Sequence, residues 1–415
     1  METSSILVML FGQSNADAHN AGPGLPAPFL DNPRCVVPND GRSFQGWRGR
    51  PATRPMTGFI PSYNPNSKIQ SIGAAIGCTV LDRMQDDETL NRVIIRSAAR
   101  GGCPLRARPK HGRIIEGIHR DILGNRSPIF TRFIEDVRAI KDAAEADGAP
   151  IRHLYIPFFH GEADRSADHD TYRAQLEQMM DEADAAFAEM GLGTDWLLAQ
   201  ASGTAEGSNG NAWASRTCLD DIALNRPNAH MAVTNYAYKL ADSVHLTAES
   251  KALVGELIAR RIVDLETGRD RRLTRLAHMV IDGNEVDLMF DSPTGIVLDD
   301  TRFPAPDTTL GFSVTGQKGQ EIIAIRQTGP ATIRLICALP LAGHKTHINY
   351  AYQRNTGSAD HVPAHPYPIG RGCLREDWSA PSKILEGEEV LSWVPSFSRP
   401  VPQDIPAQRE VAQAA

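Results

Sequence analysis

Five short apolar runs alternate with stretches of helical period over the first two thirds of the chain, and this leaves few folds open. The runs are 6–11, 92–97, 153–159, 196–200 and 230–234. Between them, 71–84 places Ile72, Ile76, Val80, Leu81 and Met84 near helical spacing. Ser127 followed by Pro128 marks a helix start, and Gly148 and Pro150 end that helix near 146. Further helices are expected over 170–190 and 212–224, with a last one opening at Asp242 and reaching about 265. Strands that are apolar throughout need cover on both faces, which only helices on either side of a parallel sheet supply. In such sheets ligands sit beyond the carboxyl ends of the strands.

Four marked segments fall at or beyond such ends. The first run leads into Gly12-Gln13-Ser14-Asn15, where glycine permits a sharp turn and leaves Ser14 exposed as a nucleophile candidate. The second leads to Gly101-Gly102-Cys103-Pro104-Leu105, whose glycine N–H groups suit a developing oxyanion. The third delivers His160-Gly161-Glu162-Ala163-Asp164. The fourth, Asp242-Ser243-Val244-His245-Leu246, sets a carboxylate three residues before an imidazole, so that one ring nitrogen can be held and the other can take a proton. Each segment taken alone also has a plainer reading: Ser14 and Asn15 as helix caps, Gly101-Gly102 as a turn, the acids as caps at a helix N-terminus. Their order along the chain, each at a strand end, favours a site. His153, His160, Asp164, His169 and Asp170 match no zinc spacing, and a solvated helix start accounts for them more simply.

At 415 residues the chain exceeds one ordinary core. A parallel-sheet α/β domain is expected over 1–268. Beyond it the character changes: 280–288 reads as strand–turn–strand around Gly283-Asn284, and short strands follow near 311–314, 321–326, 332–338 and 347–352. A β-sandwich domain is expected over 275–400 and a mobile tail over 401–415. Residues 20–70, rich in Pro, Gly, Asn and Arg, read as a lid or substrate-binding loop. The formal charge of -7 gives no reason to invoke nucleic acid or an anionic membrane, and no apolar run reaches the ~20 residues of a membrane helix. Six scattered cysteines suit a reducing compartment. The 6–11 run lacks a basic flank and a cleavage site, so it reads as a core strand of a cytoplasmic protein. Arg100, Arg106, Arg108 and Lys110 cluster after the glycine pair; Arg106 and Arg108 are candidates for an acidic substrate, or else solvated surface charges.

The ordered set G-Q-S-N, G-G-x-x-L, G-E-x-D and D-x-x-H-L resembles the SGNH hydrolases, nearest the sialate O-acetylesterase and carbohydrate acetylesterase branch. The resemblance covers about 6–265, with a weaker likeness at Gly311-Phe312, 331–335 and Tyr350-Ala351-Tyr352 to the β-domain that follows some of these esterases. It implies a three-layer α/β fold with a five-stranded parallel sheet, and a serine esterase acting on an acetylated carbohydrate without metal or organic cofactor. It implies Ser14 as nucleophile, His245 as base and Asp242 as orienting acid, with Glu162 in reserve for that role. Ser14, Gly101 and Gly102 would give oxyanion N–H groups. The family's glutamine is His160 here, whose neutral imidazole is expected to give a side-chain donor, and its G-G-T threonine is Cys103. A carbohydrate-binding protein on an esterase-like scaffold, or a lipase or thioesterase, are the alternatives. No long apolar lid favours the lipase.

Overall fold

The computed structural model describes residues 3–19, 22–42, 52–62, 69–202, 213–242, 244–269, 271–301, 309–343, 345–352 and 372–402. Two units form, one of Met1–Ala201, Ala214–Arg272 and Ala380–Val390, the other of Ser202–Trp213, Leu273–Ser379 and Leu391–Ala415. The expected tail lies outside the described residues from 403 onward.

In chain order the first unit runs β1 (Ser4–Gly12), β2 (Cys35–Pro38), β3 (Phe59–Pro61), α1 (Ile72–Arg83), β4 (Leu90–Ser97), β5 (Arg108–Lys110), β6 (Arg113–Ile115), α2 (Pro128–Ala146), β7 (Ile151–His160), α3 (His169–Glu189), β8 (Thr194–Gln200), α4 (Ala214–Asn225), β9 (Ala229–Thr234) and α5 (Ala248–Glu266). The main sheet has the order β3-β2-β4-β1-β7-β8-β9. β1 lies at its middle, parallel to β4 and β7, and Ile6 through Phe11 are wholly buried. Phe11 stacks on Phe133 of α2 with ring centroids 4.1 Å apart, so the strand that carries the serine is locked into the core.

The five expected strands are present and parallel, and β2 and β3 extend the sheet to seven. Both come from the stretch read as a lid. β2 pairs parallel with β4 and β3 antiparallel with β2. Strands of four and three residues among prolines carry too little periodicity to be read from sequence. Charge anchors this edge. Arg42 makes a bidentate bond to Asp136 of α2 (2.7 and 2.8 Å), and Arg96 of β4 binds Asp40 at 2.6 Å. None of the described residues of 22–70 lines the cleft described below.

Ser127 caps α2 as expected, its Oγ accepting the Phe130 N–H at 3.1 Å. The last helix differs. It begins at Ala248, capped by Thr247 Oγ1 on the Ser250 N–H (3.2 Å). Asp242 and His245 therefore lie in a turn ahead of the helix, because Thr247 takes the cap.

The second unit contributes β10 (Arg275–Asp282), β11 (Glu285–Asp291), β12 (Ile296–Leu298), β13 (Phe312–Thr315), β14 (Ile322–Gly329), β15 (Thr332–Cys337), β16 (His347–Tyr350), β17 (Leu374–Pro381), β18 (Glu389–Trp393) and β19 (Phe397–Pro400). They form antiparallel sheets β10-β11-β15-β14, β12-β17-β18 and β13-β16-β19, a β-sandwich as expected. Asp282 pairs with Glu285 across the two-residue turn at Gly283-Asn284, where Gly283 has φ 62°. Tyr350 packs between Phe312 and Phe397 (centroids 4.8 and 5.5 Å), and its hydroxyl accepts the Leu374 N–H at 2.7 Å.

Candidate active site

Gly12 decides where the serine stands. Its φ is 116°, and a Cβ there would meet the Phe159 carbonyl oxygen at 2.1 Å. Only glycine can pass this close to β7 and turn. The Gln13 N–H then donates to that same carbonyl at 2.7 Å, and Ser14 emerges half-buried in a cleft of about 990 Å³. Gly101, Gly102, Glu162 and His245 line the same cleft. A Cβ on Gly101 would lie 3.5 Å from Ser14 Cβ, so the glycine loop passes directly beside the nucleophile candidate.

Asp242 builds the histidine turn. Its Oδ1 accepts the N–H groups of Val244 (3.0 Å) and His245 (2.9 Å), and its Oδ2 meets His245 Nδ1 at 2.6 Å. A carboxylate at that distance holds the proton on Nδ1 and fixes the tautomer. Among the described residues nothing bonds to His245 Nε2, and the Ser14 hydroxyl makes no bond to it. The two share the cleft, and catalytic hydrogen bonds are often long before substrate binds.

Asn15 caps no helix, since residues 14–19 form a turn. Its Nδ2 donates to the Val244 carbonyl (3.0 Å) and to Glu162 Oε1 (3.3 Å), and its Oδ1 accepts the Leu246 N–H (3.0 Å). It thus ties the serine turn to the histidine turn, 230 residues away in the sequence. Both amide hydrogens are used, so Asn15 has no donor left for an oxyanion. Sequence reading missed this role; the only signal was its place beside the serine.

The glycine loop is held from behind by three buried side chains. Gln13 Nε2 donates to the Cys103 carbonyl at 2.6 Å, while Gln13 Oε1 accepts the Gly161 N–H at 3.3 Å. Asp164 Oδ2 accepts the Leu105 N–H at 2.8 Å. His160 completes the set and corrects an expectation. Its ring is fully buried, lies outside the cleft lining and is committed at both nitrogens: Nδ1 to the Tyr172 hydroxyl (2.9 Å) and Nε2 to the Cys103 carbonyl (3.2 Å). Burial pushes its pKa below the ordinary value, so it stays neutral with a single N–H. That N–H serves the Cys103 carbonyl, which removes His160 as a side-chain oxyanion donor. Ser14, Gly101 and Gly102 remain as candidate sources of backbone N–H groups.

Glu162 reaches Asn15 and not His245 Nδ1, which Asp242 occupies. Its Oε2 is buried without a hydrogen-bond partner among the described residues, and burial raises its pKa against the pull of its own backbone N–H, His245 and Asn15. Arg108 lines the cleft, donating to the Ala163 carbonyl and lying 3.7 Å from Asp164 Oδ1. Arg106 is exposed and outside the cleft lining. Among the described residues no three His, Cys, Asp or Glu side chains gather as metal ligands. All six cysteines are buried and free, and no described helix is long and apolar enough to cross a membrane.

No family model and no curated protein matches this chain. Among solved structures it is similar to a carbohydrate acetylesterase from Xanthomonas citri, at 14% identity and a TM-score of 0.57, over 90% of this chain and 81% of that one. It also matches NanS at 15% identity and a TM-score of 0.46, over 64% of this chain and 98% of that one. A protein from Arabidopsis thaliana matches at 15% identity and a TM-score of 0.44, over 63% of this chain and 98% of that one. The fold is a three-layer SGNH-type α/β fold, followed by an antiparallel β-sandwich. Its particular likeness, over both parts of the chain, is to the Xanthomonas acetylesterase.

Proposed function

We propose that this protein is a serine esterase that removes O-acetyl groups from a carbohydrate, either sialic acid or an acetylated polysaccharide. The observation that carries the reading is the 2.6 Å bond between His245 Nδ1 and Asp242 Oδ2, in a cleft that Ser14, Gly101 and Gly102 also line. In this reading Ser14 Oγ attacks the acetyl carbonyl as His245 Nε2 takes its proton. Asp242 steadies the imidazolium that forms. N–H groups of Ser14 and of Gly101 or Gly102 receive the oxyanion, and His245 returns the proton to the leaving sugar hydroxyl. Water then repeats the attack on the acetyl-enzyme and frees acetate. The likeness to an acetylesterase supports the choice of acyl group.

The test is acetate release from acetylated xylan, O-acetyl sialic acids and bacterial polysaccharides, alongside p-nitrophenyl acetate, with Ser14→Ala as control. Turnover that disappears in Ser14→Ala supports the esterase. Turnover that survives the substitution rejects it, and a preference for long acyl chains moves the reading to a lipase or thioesterase.

A further inference from the structure

Lys251 is a charged residue near the start of α5, set among apolar neighbours. Its helix neighbours Ala252, Val254, Gly255 and Ile258 are buried, and Lys251 itself is 0% exposed. An ammonium taken out of water is costly unless it finds partners. Lys251 finds them under the candidate nucleophile: Nζ donates to the carbonyls of His19 (3.3 Å) and Asn15 (3.5 Å). These carbonyls belong to one tight turn, closed by the His19 N–H on the Ser14 carbonyl (2.9 Å) and strained at Ala18, whose φ is 53°. Two charged groups face the ammonium, Asp17 from this turn and Asp242 from the turn ahead of α5. One buried cation thus touches the element that presents Ser14 and lies in the field of the acid that holds His245.

We propose that Lys251 is a positioning residue for the reaction: it ties the Ser14 turn to the helix that follows His245, and its charge lowers the basicity of the Asp242–His245 pair. The proposal rests on the esterase reading for its kinetic consequence and on the Nζ bonds to the Asn15 and His19 carbonyls for its geometry. Burial draws the ammonium down to about 7, against the pull of Asp17 and Asp242, so the charge is present below neutrality and fades above it. A cation beside the pair disfavours a second positive charge on His245.

Lys251→Met removes donor and charge; Lys251→Gln removes only the charge. Both are compared with the full-length wild type in pH profiles of kcat and KM on p-nitrophenyl acetate, and in NMR titrations of the His245 imidazole. Lys251→Met should lower kcat about tenfold at unchanged KM and move the acid limb of kcat/KM upward by about half a pH unit. Lys251→Gln should recover part of kcat while the limb stays displaced. A folded Lys251→Met protein with wild-type kcat and an unmoved limb overturns the proposal, as does a loss confined to KM. Should neither variant fold, the wild type still decides: its His245 resonances must show a second inflection as Lys251 titrates, and a single clean transition overturns the coupling. The NMR arm needs no substrate, so a protein that hydrolyses nothing sinks the esterase reading without touching this test.

Discussion

The parallel sheet carries a histidine–carboxylate cluster at each of its two ends, and their bond lengths are alike. At the amino ends of β7, β8 and β9, Asp195 binds His153 Nε2 at 2.7 Å and His230 Nε2 at 2.6 Å. At the carboxyl ends Asp242 binds His245 at 2.6 Å. Distance does not separate them; saturation and space do. Both Asp195 oxygens are taken, and Arg261 donates to the remaining nitrogen of His230 at 3.0 Å. His245 has one nitrogen uncommitted among the described residues and stands in a cleft that Gly101 and Gly102 help to keep open. A histidine–acid pair reads as chemistry only where a nucleophile and an unfilled volume face it.

The comparison breaks first, and most severely, at the carboxyl ends. Ser14→Ala and His245→Ala should each lower kcat about 10⁴–10⁶-fold with the unfolding midpoint unchanged, and the double variant should be no worse. Asp242→Asn should cost about 10²–10⁴-fold, since the wrong tautomer then prevails. Glu162→Gln should cost far less, because Glu162 makes no bond to His245 Nδ1; the reverse ranking would transfer the orienting role to Glu162.

His160 probes what lies between chemistry and scaffold. Its removal takes away the partner of the buried Tyr172 hydroxyl and leaves the Cys103 carbonyl to Gln13 alone. His160→Ala should therefore lose about 1–3 kcal/mol of stability in denaturant titrations. Its kcat should fall by only about tenfold, short of the ~10²–10³ expected for a true oxyanion donor. A loss of a hundredfold or more in a protein of unchanged stability would return His160 to the site.

At the amino ends Asp195→Asn should leave kcat untouched and cost about 1–3 kcal/mol at pH 7. Burial pushes the Asp195 carboxyl up, but hydrogen bonds from His153 and His230 outweigh it and hold the pKa below the ordinary value. A depressed carboxylate stabilises the fold above its unfolded pKa of about 4, and this contribution drains away as pH falls below that value. Wild type should thus lose stability between about pH 4 and 2 more steeply than Asp195→Asn; parallel urea curves over that range would remove Asp195 from the account. The smallest effect is expected at Arg108→Ala: a few-fold rise in KM for substrates bearing a carboxylate, larger at low salt, with neutral substrates unaffected. Arg106→Ala, outside the cleft lining, should do nothing; equal responses of the two would assign the charge to bulk surface potential.

Local and periodic features were legible in the chain itself. The five core strands follow from apolar runs that suit burial on both faces, and Ser127 announces α2. Gly12 before Ser14 marks a turn only glycine can make, and Asp242 three residues before His245 places both on one turn. These are short-range facts, fixed by backbone sterics and hydrogen bonds within a few residues. Whatever depends on distant partners was decided by the fold. Beside β2, Asp40, Arg42, Arg96 and Asp136 meet from distant parts of the chain. Arg108 reaches the cleft and Arg106 does not, although only Ala107 separates them. His160 ends a strand that points at the site, yet Tyr172, eleven residues further along α3's side of the chain than Gly161, and Cys103 on the neighbouring loop claim both its nitrogens. Asn15 looks in sequence like a cap, and the fold makes it a tie between two turns; Lys251, which nothing in the sequence singles out, becomes a buried charge beneath them. A side chain's type limits the bonds it can make, but which bonds it makes depends on what the tertiary structure sets within 3 Å of it.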